Sequence, residues 1–156
     1  MIARTLSNLV VFGLLVFSKA YAQPADGGNS NIFSQGKKIM QVTITIKNGP
    51  LLTATMEDNQ TAQDFMSLLP MTLELKDFNQ TEKVSGELLK PLAKSETKFK
   101  PVAGDLAYYA PWGNLAIFYR DFQQSPGLYK LGHIDSNPDI LIVPGPVTVT
   151  IELKGE

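Results

Sequence analysis

The alternation of apolar and polar residues near both ends of the sequence constrains the fold more than any other feature. Residues 42–47 and 147–153 each place valine, isoleucine or leucine at every second position, with threonine, lysine or glutamate between. Because successive side chains of a β-strand point to opposite faces, each segment is predicted to be a strand with one apolar face. Their similar composition favours pairing of the two strands to close a small barrel.

The residues that follow the first strand predict a hairpin and one principal helix. Asn48-Gly49 favours a hairpin turn in which both residues have positive φ, and residues 52–57 alternate again on the return strand. A helix is predicted over residues 61–69, where Thr61 and Asp64 resemble a capping box and Pro70 ends the helical pattern. Residue types suited to an N-cap occur at its start, namely Asp58, Asn59 and Thr61.

The polar middle of the chain, residues 76–101, is predicted to be loop because glycine, proline and asparagine interrupt it. Its spread lysines are typical of a solvated surface rather than a phosphate-binding stripe: Lys83, Lys90, Lys94, Lys98 and Lys100. Further strands are predicted at residues 71–75, 105–110, 114–120 and 129–134, with a turn or single helical turn at 135–138. The predicted fold class is therefore mainly β, a small closed barrel with one principal α-helix.

Residues 1–22 have the parts of a secretory signal peptide. Arg4 supplies the positive charge, residues 9–17 form an apolar run, and Ala20-Tyr21-Ala22 is a small-residue cleavage site. The run is shorter than the roughly 20 residues that a membrane-spanning helix needs, so no stable membrane insertion is expected after cleavage. Residues 23–39 are predicted to be a flexible linker and residues 40–156 the folded domain. The protein is expected to be exported, either to the periplasm or outside the cell.

Composition argues against several classes of function. Loss of Arg4 and Lys19 with the signal peptide would leave 12 basic and 15 acidic residues, a net charge of −3, so no nucleic-acid partner is expected. The chain has no cysteine and one histidine, whereas zinc sites draw on several such ligands. It also lacks a P-loop, a Gly-x-Gly-x-x-Gly motif and a Gly-x-Ser-x-Gly elbow. No metal and no cofactor are expected.

Half of the chain's aromatic residues fall between positions 108 and 129, and this block is the first place to look for a functional surface. Strand parity places Tyr119 on the face opposite Phe118 and Arg120, and a charged Arg120 should point away from the core. Tyr119 is therefore predicted to face inward together with Leu115 and Ile117. Trp112 lies in a turn between Pro111 and Gly113, where it either caps the barrel end or presents an adhesive surface.

Several segments together resemble the bacterial cyclophilin-like domain family. They are residues 42–46, 54–65, 68–70, 104–119 and 131–135, and the most specific are Asp-Asn-Gln-Thr-Ala at 58–62 and Ala-Pro-Trp-Gly-Asn-Leu at 110–115. The resemblance covers residues 40–153 and implies a cyclophilin-type barrel of about eight strands. It implies no particular reaction, because members of the family are mostly uncharacterised.

Cyclophilins that are prolyl isomerases carry an arginine beside aromatic and histidine side chains. Phe118-Tyr119-Arg120 resembles their Phe-His-Arg core, with Tyr119 where the histidine would stand. No segment matches the Gln-Gly-Gly that follows in those enzymes, so the resemblance transfers Arg120 alone as a candidate catalytic residue. His133 and Asp135 share one strand face, where His133 is either a structural hydrogen-bonding group or a ligand-contacting, pH-responsive one.

Three functions remain open from the sequence. The first is a non-enzymatic module that binds a peptide or small molecule, the second is a prolyl isomerase or folding helper, and the third is a structural domain with a filled barrel. The candidate ligand-binding residues are Trp112, Arg120, Phe118, Tyr109, Phe122 and His133.

Overall fold

Eight strands form the framework of the structure, a computed structural model that describes residues 39–95 and 99–155. The strands are β1 Gln41–Ile46, β2 Leu51–Met56, β3 Met71–Phe78, β4 Glu82–Glu87, β5 Asp105–Tyr109, β6 Asn114–Phe118, β7 Leu128–Ile134 and β8 Val147–Leu153. One α-helix, α1 Gln60–Met66, and a short 3-10 helix, Pro138–Leu141, complete the described elements. The predicted signal peptide and all but the last residue of the predicted linker lie outside the described residues.

The first and last strands pair and close the barrel. The strand order is β1-β2-β7-β5-β6-β4-β3-β8, and β8 returns to β1 with Val42 opposite Leu153 and Ile46 opposite Val149. All neighbouring strands run antiparallel. The predicted fold class, a mainly β closed barrel with one principal helix, is confirmed.

The barrel interior is filled by apolar side chains from every strand except β4. Leu106 and Tyr108 of β5 and Leu115 and Ile117 of β6 are almost completely buried. Burial of one large apolar side chain contributes about 1.5–3 kcal/mol, so these positions carry much of the stability of the fold. Tyr119 is also buried and belongs to the same cluster, which confirms the predicted parity of β6.

The outer face of β5 and β6 is covered as well, which strand parity alone did not reveal. Phe118 is fully buried in a second apolar cluster with Ala107, Ala116 and Leu128. Aromatic side chains from the flanking loops cover this cluster, and Phe122 stacks on Phe118 at a centroid distance of 5.9 Å.

Helix α1 begins two residues earlier than a Thr61 capping box would place it. Asn59 is the N-cap, and its side chain accepts a hydrogen bond of 2.8 Å from the amide of Ala62. Thr61 instead exchanges two hydrogen bonds of 3.0 Å with Ser95, which ties the helix to the loop after β4. The capping-box prediction is wrong because Asn59, and not Thr61, is the N-cap. The helix also ends at Met66 rather than at residue 69.

Two further local predictions are corrected by the structure. Residues 82–87 form β4 between β3 and β6, although this segment was predicted to be loop. In the β1–β2 turn, Asn48 has φ of 61°, but Gly49 does not have positive φ. The hairpin itself is present, with Thr45 opposite Leu51.

Candidate functional site

The inner face of the barrel changes from apolar to polar at one mouth. On β3 the buried Leu75 is followed, two residues later, by Asp77, and on β6 the buried Ile117 is followed by Tyr119. Lys83 lies between them in the sheet, opposite Asp77 on one side and Ile117 on the other. Strand pairing thus brings two charged side chains and one phenol together where the core ends.

Lys83 is a fully buried lysine whose three donors are all used. Its Nζ donates to Oδ2 of Asp77 at 2.8 Å, to the carbonyl oxygen of Val143 at 2.7 Å and to that of Gly145 at 2.9 Å. A buried ammonium is tolerated only when it is paired and hydrogen-bonded, and these contacts meet that condition. The prediction of a solvated loop lysine at position 83 is therefore wrong.

Asp77 connects the buried lysine to the barrel wall. Its Oδ1 accepts a hydrogen bond of 2.9 Å from the hydroxyl of Tyr119. The hydrogen bond from Lys83, and to a smaller extent that from Tyr119, holds the pKa of the Asp77 carboxyl below its usual range. Burial, reinforced by the neighbouring carboxylate, raises the pKa of Tyr119 to about 12. The Asp77 side chain is therefore a carboxylate and the Tyr119 side chain a neutral phenol near neutral pH.

Arg120 lies at the rim of this mouth with its guanidinium exposed. Its backbone is fixed, because the amides of Tyr119 and Arg120 donate to the carbonyl of Thr81 at 3.0 and 3.1 Å. Across residues 39–95 and 99–155, no acidic side chain forms an ion pair with the guanidinium and no acceptor hydrogen-bonds to it. An arginine held in place but unpaired is suited to bind an anion.

The turn between β3 and β4 shapes the other side of the rim. Asn79 and Gln80 have φ of 49° and 58°, the left-handed region, at the two central positions of the turn that the Thr81 amide closes by donating to the carbonyl of Phe78 at 3.1 Å. Asparagine adopts this region readily, but glutamine does so at a cost of roughly 1–2 kcal/mol. Backbone strain of this kind concentrates at functional sites, and here it occurs at a residue that lines the cavity.

These groups surround a shallow cavity of about 230 Å³. Its polar side is formed by Asp77, Gln80, Tyr119 and Arg120, and its apolar side by Ile142, Val143 and Pro144. Ile142 and Val143 are 44% and 40% exposed, so apolar surface faces solvent beside the free guanidinium. The arrangement can accommodate a small ligand that has an anionic group and an apolar body.

The residues predicted to form one ligand site are distributed over several places. Trp112 is 52% exposed and lies in the turn before β6, whereas Arg120 follows the other end of that strand. β6 alone separates them by about 14 Å. The Trp112 ring makes edge contacts with Phe78 at 5.2 Å and Tyr109 at 5.4 Å. Trp112, Phe78 and Tyr109 thus form a partly exposed aromatic cluster, and none of the three lines the Arg120 cavity, although Phe78 directly follows Asp77.

Two other predicted residues are packing groups in this structure. Phe118 has no exposed surface, so its side chain is not available to a ligand at the protein surface. Phe122 covers Phe118 and also borders a shallow depression with Lys100, Asp121 and Gln123. Their roles follow from the second apolar cluster.

His133 lines a different cavity, and its side-chain partner is Asp105 rather than Asp135, with which it was predicted to share a strand face. Its Nδ1 lies 2.9 Å from Oδ1 of Asp105, a side chain that is almost fully buried and also contacts Lys130 at 3.1 Å. Asp135 instead accepts hydrogen bonds from Thr55 and Gln41. Gly104 permits the arrangement, because a Cβ at this position would lie 2.7 Å from the histidine ring.

The cavity beside His133 has a volume of about 340 Å³ and is lined partly by methionines. Met56 and His133 lie on neighbouring strands, but His133 is opposite Thr55 in the register and Met56 is opposite Gly132. Their side chains therefore point to opposite faces of the sheet. The cavity is also lined by Glu57, Asp58 and Gln63, and unlike the mouth at Arg120 it is lined by no arginine or lysine.

Sequence analysis identified Arg120 but missed the residues that support it. Asp77 and Lys83 lie in a segment whose polar composition masks its strands. A detectable signal was present, because Leu75 and Asp77 on one side and Lys83 and Ser85 on the other keep the two-residue period. Opposite charges at the inward positions of consecutive predicted strands would have indicated a buried ion pair at the end of the core.

Comparison with known proteins agrees with this architecture. The sequence profile of the cyclophilin-like family matches residues 44–152, which is more than half of the chain. This protein belongs to the cyclophilin-like family. No curated protein matches the cyclophilin-like chain significantly.

Two solved structures share the fold of this cyclophilin-like protein. The hypothetical protein AF2241 from Archaeoglobus fulgidus has a TM-score of 0.60 at 15% identity, over 76% of this chain and 99% of that one. A structure of McbB in complex with tryptophan has a TM-score of 0.52 at 14% identity, over 74% of this chain and 45% of the McbB chain. At these identities the likeness shows a shared fold and carries over no ligand.

The helices of the described residues also bear on membrane association. Between residues 39 and 155, apart from the undescribed 96–98, no helix has the length and apolar character that a membrane crossing requires.

Proposed function

We propose that this cyclophilin-like protein is a non-enzymatic binding domain that holds a small anionic ligand in the mouth cavity at Arg120. The observation that carries the proposal is the unpaired, exposed guanidinium beside exposed apolar surface. Among the described residues, no acidic side chain pairs with the guanidinium and the apolar surface of Ile142 and Val143 stays exposed. A ligand that pairs with the guanidinium and covers the apolar surface would bind with a favourable free energy.

The support beneath the cavity is what a preformed site needs. Lys83 fixes the carbonyls of Val143 and Gly145, and thereby holds the apolar wall against the strands. The carbonyl of Thr81 fixes the backbone of Arg120. A ligand then binds without first ordering these segments, which lowers the entropic cost of binding.

The prolyl isomerase alternative receives less support. It relied on aromatic side chains beside Arg120, and Trp112 and Tyr109 lie near the other end of β6 while Phe118 is buried. The filled barrel agrees with a structural domain, but a purely structural role does not account for an unpaired Arg120 next to exposed Ile142.

The location of the binding domain is part of the proposal. The signal-peptide pattern of residues 1–22 supports export, with the domain beginning near residue 40 after a linker. Mass spectrometry of the protein recovered outside the cytoplasm should show a chain that starts at Gln23. Full-length protein that stays in the cytoplasm would contradict export and leave the binding site untouched.

Calorimetric titration with 4-methylpentanoate, a small carboxylate with an apolar body, tests the binding function. The wild-type protein should bind it, and Arg120→Gln should weaken binding by about 1–3 kcal/mol because a charged hydrogen bond is lost. Lys76→Gln is the matched control, since Lys76 is an exposed cation on β3 that does not line this cavity. Equal affinity for wild type and Arg120→Gln would contradict the proposal.

A further inference from the structure

The mouth cavity contains two opposite charges that do not neutralise each other. Asp77 and Arg120 both line it, yet no ion pair within 4.0 Å joins them, and Asp77 pairs with Lys83 instead. A ligand in this cavity therefore meets a positive group on one side and a negative group on the other. A ligand with only a negative charge would pair with Arg120 and would leave Asp77 without a ligand partner.

Asp77 has free capacity to accept a hydrogen bond from a ligand. An ionised carboxylate offers about four acceptor positions, and Lys83 and Tyr119 occupy one on each oxygen. The Asp77 side chain is 36% exposed, so part of it faces the cavity rather than the core. A ligand ammonium can therefore contact Asp77 while its bond to Lys83 is kept.

Lys83 does not compete with Arg120 for the ligand. Its three donors are all used inside the protein, and it has no exposed surface. A ligand carboxylate consequently has Arg120 as its cationic partner, and a ligand ammonium has Asp77 as its anionic partner. The two charged ends of the ligand are thereby assigned to two different walls.

The size of the cavity restricts how far apart these two ligand charges can be. Its volume of about 230 Å³ is below the roughly 300–1,000 Å³ of pockets for drug-sized ligands. An ammonium and a carboxylate on the same carbon atom fit such a space, whereas the two termini of an extended peptide do not. The exposed Ile142 and Val143 then remain for an apolar side chain.

We propose that the ligand is a free α-amino acid with an apolar side chain. Its carboxylate binds Arg120, its ammonium binds Asp77, and its side chain packs on Ile142, Val143 and Pro144. This inference rests on the proposed function, because it names the class of small anion that the Arg120 cavity takes.

Three ligands that share one carbon skeleton test the inference on the wild-type protein by calorimetry. Leucine carries both charges, 4-methylpentanoate lacks the ammonium, and 3-methylbutylamine lacks the carboxylate. Leucine should bind at least about tenfold more tightly than 4-methylpentanoate, and the amine should not bind measurably. N-acetyl-leucine, which keeps the carboxylate and loses the ammonium charge, should resemble 4-methylpentanoate.

The outcomes separate this inference from the function beneath it. If 4-methylpentanoate binds through Arg120 as tightly as leucine does, the amino-acid inference is overturned and the anion-binding function stands. If neither carboxylate binds, or if both bind equally to Arg120→Gln, both proposals are overturned.

A variant of the acidic wall gives a second test. Asp77→Asn alone would leave the buried Lys83 unpaired, so the change is combined with Lys83→Met, which removes both charges together. In the double variant, leucine should lose its preference of about tenfold and bind like 4-methylpentanoate. A retained preference would contradict the role of Asp77, and if the double variant does not fold, the wild-type ligand series decides.

Discussion

Nζ of Lys83 lies 2.8 Å from Oδ2 of Asp77, and the same Nζ donates to two carbonyl oxygens of the loop before β8. One buried cation thus joins a barrel hairpin to the loop that forms the apolar wall of the mouth cavity. The ion pair positions the site, and it does so where the apolar core ends.

Lys83→Met tests this positioning role. The variant should unfold about 2 kcal/mol more easily than the wild type, as measured by urea denaturation. This is less than the 3–5 kcal/mol for breaking a fully buried pair, because Asp77 is partly exposed. Binding of 4-methylpentanoate should weaken as well, since the wall loses its anchor. A variant with unchanged stability and binding would show that the loop is held by other contacts.

The acid limb of stability should depend on Asp77. Its hydrogen bond from Lys83 lowers the folded-state pKa, so its contribution is fully present above the unfolded pKa of about 3.9 and is lost as pH falls through the lower folded value. Asp77→Asn should be less stable than wild type at neutral pH, and the difference should shrink below about pH 4. Denaturation curves over this range measure it, and a difference that is independent of pH would contradict the assignment.

The raised pKa of Tyr119 predicts that the folded protein loses stability at alkaline pH. Its folded-state pKa of about 12 exceeds the unfolded value near 10, so its contribution is present below pH 10 and is lost as pH rises through 12. Ultraviolet titration should find a phenol transition near pH 12. Tyr119→Phe should remove this late transition and cost about 1 kcal/mol at neutral pH, through the lost hydrogen bond to Asp77. A late transition that persists in the variant would belong to another tyrosine.

Relief of the backbone strain at Gln80 should raise the stability of the protein and lower its affinity for the ligand. Gln80→Gly relieves the left-handed backbone and should stabilise the protein by about 0.5–1 kcal/mol, less than the full strain because glycine gains entropy on unfolding. The same change should weaken ligand binding, because it removes a polar side chain from the cavity. If Gln80→Gly destabilises the protein, the side chain contributes more to the fold than the strain costs.

Trp112 shows where sequence reasoning succeeded and where it stopped. The Pro-Trp-Gly turn was located correctly, and the ring is half exposed and packs on Phe78 and Tyr109, whereas a ligand-binding role for Trp112 stays a prediction. Trp112→Ala should therefore cost about 1–2 kcal/mol in stability, less than the 3–5 kcal/mol of a core tryptophan. It should leave binding of 4-methylpentanoate unchanged. A large loss of binding would place the ligand at the aromatic cluster instead.

The barrel could be predicted because its signals are local. Two-residue alternation fixes which face of each strand is buried, and the paired strands at the two ends of the domain follow from it, as β1 and β8 show. The candidate site depends on contacts between residues far apart in sequence. Lys83 meets the carbonyl of Gly145 across 62 positions, and nothing in the local pattern around Lys83 indicates that partner.

The most direct test of the account is an amide chemical-shift map recorded while 4-methylpentanoate is added to the ¹⁵N-labelled protein. The account predicts saturable shifts at the amides of residues 77–81, 119–121, 142, 143 and 145, and their loss in Arg120→Gln. Shifts centred on Trp112 or His133, or shifts that persist in Arg120→Gln, would contradict the claim that the mouth at Arg120 is the binding site.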